Sequence, residues 1–332
     1  MTCYLRPLVQ HGDMRPDGAV PLAGGALWFT HCERLGRDAA PAVVAVDAVA
    51  PHLLDRLTAP RADFAGLRLD QPQLMGILNV TPDSFSDGGR HDGADNACRN
   101  ALDMVRDGAS IIDVGGESTR PGAAPVDPTT EMERAVPVIA QLRRETDVAL
   151  SIDTRKAVVA AAALKAGADI VNDVSGFTYD PALAGVCATS QVPVCVMHSK
   201  GVPATMQNDP VYENVLLDVY DSLETRVSAL EQAGIARARI MVDPGIGFAK
   251  TAAHNLTILQ NISLFHGLGC AILLGASRKR FIGTIGGEPR ATARAPGSVA
   301  VALAALAQGV QVVRIHDVAE TAQAVRLWRA VR

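Results

Sequence analysis

From about residue 75 onward, short apolar runs alternate with longer stretches whose apolar positions recur at helical spacing. The strand-like runs cover 75–80, 110–114, 148–152, 169–172, 193–197, 240–242, 271–274 and 310–315. They are almost continuously apolar, which predicts parallel strands covered on both faces rather than an antiparallel sheet with one wet side. Helical patterns fill 94–107, 129–145, 155–166, 211–233, 252–265, 298–308 and 318–331. Gly108, Gly167, Gly234 and Gly309 stand where helix C-caps belong. Eight such runs interleaved with helices, over a length near the roughly 250 residues usual for that fold, predict an α/β chain closed into a (β/α)8 barrel. An open doubly wound sheet is the runner-up. It would ordinarily carry G-x-G-x-x-G after its first strand, where this chain has Asn79-Val80-Thr81-Pro82-Asp83. Residues 1–70 do not continue the repeat; Pro and Gly interrupt them, and only 41–49 and 51–57 are periodic. The expected layout is an N-terminal extension over 1–70, either an appendage or partly mobile, and a barrel over 71–332.

Polar residues collect just after the strand-like runs, at the end where barrel enzymes keep their chemistry. The first run leads to Asn79, the second to Asp113, the third to Asp153, the fourth to Asn172 and Asp173, the fifth to His198 and the sixth to Asp243. For Asp173, Ser277 and Asp317 a helix cap or turn suffices. Asp153, Asn172 and Asp243 are different, because all three end strands that should point into one crevice. Burying them is costly without a partner. A flat heterocycle with ring N–H, amino and carbonyl groups would supply one. The seventh and eighth runs bring cations: Arg278-Lys279-Arg280, then Arg314 and His316. Barrels often hold phosphate with these last loops, so an anion is expected there. Arg278 and Arg280 read equally well as solvated surface. Arg314 lies on an apolar strand and, with His316 beside it, makes a credible anion clamp.

Composition narrows the field. The 332 residues are 48% hydrophobic and carry a net charge of −4, so no global attraction draws them to nucleic acid or an anionic membrane. Any anion must be held locally. The six cysteines are dispersed, with no C-x-x-C pair, and Cys195 and Cys270 sit in apolar runs like reduced core residues. No run reaches the ~18 apolar residues of a membrane span, and the N-terminal stretch lacks a signal-like apolar region. The expectation is a soluble cytoplasmic protein. There is no H-E-x-x-H and no G-x-S-x-G. A participating metal should be Mg²⁺, held mainly by substrate phosphate and water, with Asn79 the best protein oxygen.

The run Gly76-Ile77-Leu78-Asn79-Val80-Thr81-Pro82-Asp83-Ser84-Phe85-Ser86-Asp87-Gly88-Gly89 resembles the first signature of dihydropteroate synthases, and GGESTRPG at 115–122 resembles the second. Ile152-Asp153-Thr154, Asn172-Asp173-Val174, Met197-His198, Asp243-Pro244-Gly245-Ile246-Gly247-Phe248, Ser277-Arg278-Lys279 and Arg314-Ile315-His316-Asp317 agree in the same order. The resemblance covers residues 75–332. It implies condensation of 6-hydroxymethyl-7,8-dihydropterin diphosphate with p-aminobenzoate. It also implies pterin contacts at Asp153, Asn172, Asp243 and Lys279, and a diphosphate and Mg²⁺ site at Asn79, Arg314 and His316. Phe85, Thr119, Pro121 and Phe248 would wall the p-aminobenzoate pocket. Asp87, Arg120 and Lys279 would be the catalytic charges, and the enzyme a homodimer. Two departures stand out. Arg280 occupies a position where some members have Ser against p-aminobenzoate, and the extension is longer than the usual lead-in.

Two rival functions share these residues. A pterin-binding methyltransferase would have no diphosphate to hold, leaving the cations of the last two loops unexplained. A silent, ligand-binding paralogue would be expected to have lost Asp87, Arg120 or Lys279, and all three are present.

Overall fold

The computed structural model describes residues 3–80, 90–118, 125–201 and 210–332. Before the barrel come strands β1 (Tyr4–Pro7), β2 (Val20–Pro21), β3 (Trp28–Phe29), β4 (His31–Leu35) and β5 (Ala42–Ala45), then helix α1 (Pro51–Thr58). β1, β4 and β5 form an antiparallel sheet and β2 pairs with β3. Leu5, Leu22, Phe29, Cys32, Val49 and Leu57 give this segment a small core of its own.

The barrel then runs β6 (Gln73–Asn79), α2 (Arg90–Asp107), β7 (Ile111–Gly115), α3 (Pro128–Glu145), β8 (Ala149–Asp153), α4 (Ala157–Ala166), β9 (Ile170–Asp173), α5 (Leu183–Ser190) and β10 (Val194–Met197). It continues with α6 (Val215–Gln232), β11 (Ile240–Asp243), α7 (Ala252–Gln260), β12 (Ala271–Leu274), α8 (Arg280–Gly286), α9 (Ala295–Leu306), β13 (Val312–Ile315) and α10 (Val318–Ala330). β6 to β13 are parallel in chain order and β13 closes on β6. Side chains explain several helix starts: Asp127 accepts from Thr130 N at 3.0 Å, Asn214 from Leu217 N at 3.2 Å and Thr251 from His254 N at 3.2 Å.

Two helical expectations change. The pattern over 252–265 divides into α7 and a 3-10 segment, Ile262–Leu268. The chain tightens after Asn261 so that Ile262, Leu264, Phe265 and Leu268 can all be buried. Helices α5 and α8 were absent from the pattern because both are short, and glycine or alanine fills much of each.

The extension lies against α6 and Ile262–Leu268. Tyr4 donates to Asp221 at 2.8 Å, Ser263 Oγ to Pro7 O at 3.0 Å, and Arg61 Nε to Cys270 O at 3.1 Å. Phe64 and Leu69 continue into the barrel interior, packing with Met75, Ile111, Ala149, Ile170, Cys195, Met241, Leu273 and Val312. The intervening strand residues, such as Leu74, Ile112, Leu150, Val171, Val242 and Val313, join the separate core between barrel and helices. That period-two division fixes which side chains face inward. One end of the barrel is thereby filled with hydrocarbon. Two or four residues farther along the same inward faces come Asn79, Asp113, Asp153, Asn172, Asp243, Arg314 and His316. Among the described residues no helix is long and apolar enough to cross a membrane.

Candidate active site

Backbone register sets the site. Asn79 pairs with Gly115, Gly115 with Asp153, and Asp153 with Asn172, so four neighbouring strands end at one level. A Cβ on Gly115 would make ordinary contact with Asp153 Cβ at 3.6 Å, so the row is closely spaced. Across the barrel, Arg314 on β13 reaches back to the acids. Its Nε donates to Asp113 Oδ2 at 2.6 Å and its NH2 to Asp153 Oδ2 at 2.8 Å. Asn172 Nδ2 also donates to Asp113 Oδ2, at 3.1 Å. Asp113 is fully buried and Asp153 and Asn172 nearly so.

The remaining oxygens of this pair carry the chemical signal. Asp113 Oδ1 and Asp153 Oδ1 are buried with no hydrogen-bond partner among the described residues. A buried acceptor without a donor is expensive unless a ligand provides one. Burial raises the Asp153 carboxyl to about 7, opposed by the Arg314 guanidinium and reinforced by Asp113. Burial also raises Asp243, while the Gly245 N–H, at 2.7 Å, and the charges of Lys279, Lys250 and Arg314 hold it down.

Arg314 therefore differs from the expected anion clamp. Two edges of its guanidinium are occupied by Asp113 and Asp153, and it works first as the counter-charge of a buried acid pair. Which acids it meets depends on closure of the barrel, which the chain order alone does not display. His316 stands beside it, with Nδ1 3.0 Å from Ser277 Oγ. Ser277 thus has a partner in the site and is more than a turn former. Arg278 and Asp317 pair with each other, and Asp173 accepts from Ser175 and Phe177, so these three stay local and structural.

Lys279 and Phe248 form the other wall. The Lys279 ammonium lies 4.2 Å from the centre of the Phe248 ring, close enough for a cation–π contact. Arg280 is exposed at the first turn of α8. Phe85, Asp87, Thr119, Arg120 and Pro121 lie outside the described residues.

Sequence reasoning assigned no role in the site to three buried groups. Asp113 was visible only as a polar residue near a strand end; its inward register, two residues beyond Ile111, was the usable signal. Lys250, 3% exposed, sits in a glycine-rich loop where no periodicity marks it. Glu117, Glu131, Arg155 and Lys156 form a buried ion network after β7 and β8, in which Lys156 meets both glutamates. It also ties chain positions 117 and 126 together through Val126, whose N–H reaches Glu117 at 3.0 Å and whose carbonyl accepts from Lys156 at 2.7 Å.

Among the described residues there is no cluster of three His, Cys, Asp or Glu able to cage a metal. Asn79 ends β6 level with Gly115 and Asp153, and a site with few protein oxygens suits a hard cation brought in largely by phosphate and water.

Comparison with known proteins agrees with this geometry. The family model described as pterin binding enzyme matches residues 75–316. Dihydropteroate synthase of Synechocystis is 45% identical over 260 residues, which is 77% of this chain and 90% of that protein. The solved Xanthomonas albilineans dihydropteroate synthase with 4-aminobenzoic acid superposes with a TM-score of 0.77 at 43% identity, covering 82% of this chain and 98% of that one. The same enzyme in complex with 7,8-dihydropteroate gives a TM-score of 0.74 at 40% identity over 82% and 98% of the two chains. With its buried acid pair at the mouth of a closed barrel and relatives of this similarity along most of its length, the chain belongs to the dihydropteroate synthase family of pterin-binding enzymes.

Proposed function

We propose that this chain condenses 6-hydroxymethyl-7,8-dihydropterin diphosphate with p-aminobenzoate to give 7,8-dihydropteroate and diphosphate. The observation that carries this reading is the pair of unsatisfied buried oxygens, Asp113 Oδ1 and Asp153 Oδ1, beside Asn172 and Asp243. They match the donors on a pterin edge. The catalytic unit is residues 71–332, and residues 1–70 have no assigned part in the chemistry.

In this reading Asp153, Asn172, Asp243 and Lys279 hold the pterin, joined by Asp113. Arg314 opposes the burial that raises Asp153 and lends its remaining positive field to the diphosphate, with His316 and Asn79 nearer that group. Phe248 lines the p-aminobenzoate pocket with Phe85, Thr119 and Pro121. Mg²⁺ would be held by Asn79 and the substrate phosphates, and would neutralise the leaving diphosphate. The C–O bond breaks with its electron pair going to diphosphate, and the arylamine nitrogen attacks the pterin methylene and then loses a proton. The chain's part is positioning and fixed charge from Lys279, Asp87 and Arg120. The substrates are small molecules. A homodimer in the cytoplasm, with neither nucleic acid nor membrane as partner, completes the proposal.

Calorimetry across pH tests the acid pair. With its carboxyl raised to about 7, Asp153 favours the empty fold while protonated and loses that advantage as pH rises through about 7. Pterin N–H donors favour the ionised form, so affinity should rise between about pH 6 and 8. Asp153→Asn should bind more weakly and with a flat profile. A wild-type profile equally flat would remove Asp153 from the pterin site.

A further inference from the structure

Lys250 is a buried cation without a carboxylate in ion-pair contact among the described residues. Its ammonium is instead surrounded by acceptors from two loops: Gly245 O at 2.9 Å, Phe248 O at 3.0 Å and His198 Nδ1 at 2.8 Å. When Lys250 is protonated all of its N–H bonds donate, so Nδ1 accepts and the His198 proton belongs on Nε2. Burial lowers Lys250 to about 7 against the opposing charge of Asp243, so the cage is held at an electrostatic cost that a methionine would avoid.

The acceptors show what that cost secures. Gly245 and Phe248 belong to the loop after β11, and His198 to the one after β10. The β11 loop is tight: Gly245 has φ +69°, and a Cβ on it would lie 2.0 Å from His198 O. Ala249 is also left-handed at φ +49°, and its carbonyl accepts from Tyr212 OH at 3.0 Å. Gly247 N donates to Asn255 Oδ1 at 2.8 Å. Lys250 donates to two carbonyls of this turn, Gly245 O, which also accepts from Phe248 N at 3.1 Å, and the carbonyl of Phe248 itself. The ring of Phe248 lies under Lys279.

We propose that Lys250, with His198 as its acceptor, is a positioning residue that fixes the Phe248 ring and thereby sets the affinity for the arylamine substrate. This rests on the reading of Phe248 as a wall of the p-aminobenzoate pocket. Lys250 touches neither substrate and acts through the carbonyl of Phe248.

Steady-state kinetics with both substrates varied test it on Lys250→Met, which keeps the apolar stem. The KM for p-aminobenzoate should rise about tenfold or more, while that for the pterin diphosphate stays within about threefold. His198→Leu should give a smaller rise of the same selectivity, and His198→Gln, whose amide oxygen can accept, should restore it. Equal rises for both substrates, or none, would overturn the proposal. If Lys250→Met does not fold, His198→Leu decides in its place; loss of fold in both would show a purely structural pair and overturn it as well. Phe248→Ala separates the underlying reading. An unchanged p-aminobenzoate KM there would displace the pocket itself, whereas a raised one with Lys250→Met silent would refute only the role of Lys250.

Discussion

Arg314→Ala should destabilise the protein by about 3–5 kcal/mol, the usual result of removing one partner from a buried ion pair. The side chain bridges Asp113 and Asp153 on two neighbouring strands, and both acids are almost without solvent. Without the guanidinium, two carboxylates would face each other across one strand spacing, and at least one would have to take up a proton. The loss should therefore be larger at pH 8 than at pH 5, where protonation relieves the repulsion. Adding Asp113→Asn to Arg314→Ala should recover part of it, since the pair is coupled through the missing cation. Urea unfolding of the three proteins at the two pH values measures this. A loss below about 1 kcal/mol at pH 8 would mean that Arg314 is not the counter-charge, and that the anion-clamp reading from sequence was the better one.

Lys279→Ala should lower kcat/KM by about 10²- to 10³-fold with little loss of stability, the scale seen when a preorganised charge is removed from an active site. Lys279 is half-buried, acts on Asp243 through its charge, and lies over the Phe248 ring, so it stands between the proposed pterin acceptors and the arylamine wall. The deficit should appear in single-turnover rates with the pterin diphosphate saturating, because a charge that merely anchors the ground state would be overcome by substrate. Lys279→Arg keeps the charge but spreads it over a larger planar group, and should recover only part of the rate. A rate deficit under about fivefold at saturation would confine Lys279 to binding.

The barrel was legible because its strands are apolar almost without interruption, and only strands buried on both faces tolerate that. The convergence of Asn79, Asp153, Asn172, Asp243, Lys279 and Arg314 followed from one rule, that polar strand ends share a face. What escaped depends on closure or on loop geometry. Arg314 stands 201 positions from Asp113 and 161 from Asp153, and only the pairing of β13 with β6 brings them together. Asp113 falls inside the expected run 110–114, and what marks it as facing the site is its alternation with the inward-facing Ile111 two residues earlier on β7. Lys250 gave no signal because its partners are mostly backbone carbonyls, which no side-chain pattern records. α8 was missed because two glycines weaken a seven-residue helix that packing sustains.

In the proposed reaction the barrel mouth joins a pterin to an arylamine with loss of diphosphate. The direct measurement supplies the purified chain with the pterin diphosphate, p-aminobenzoate and Mg²⁺, and follows 7,8-dihydropteroate by mass and diphosphate by release. Both products should form in equal amounts, and only when both substrates are present. Absence of turnover, or diphosphate release that does not depend on p-aminobenzoate, would contradict that reaction.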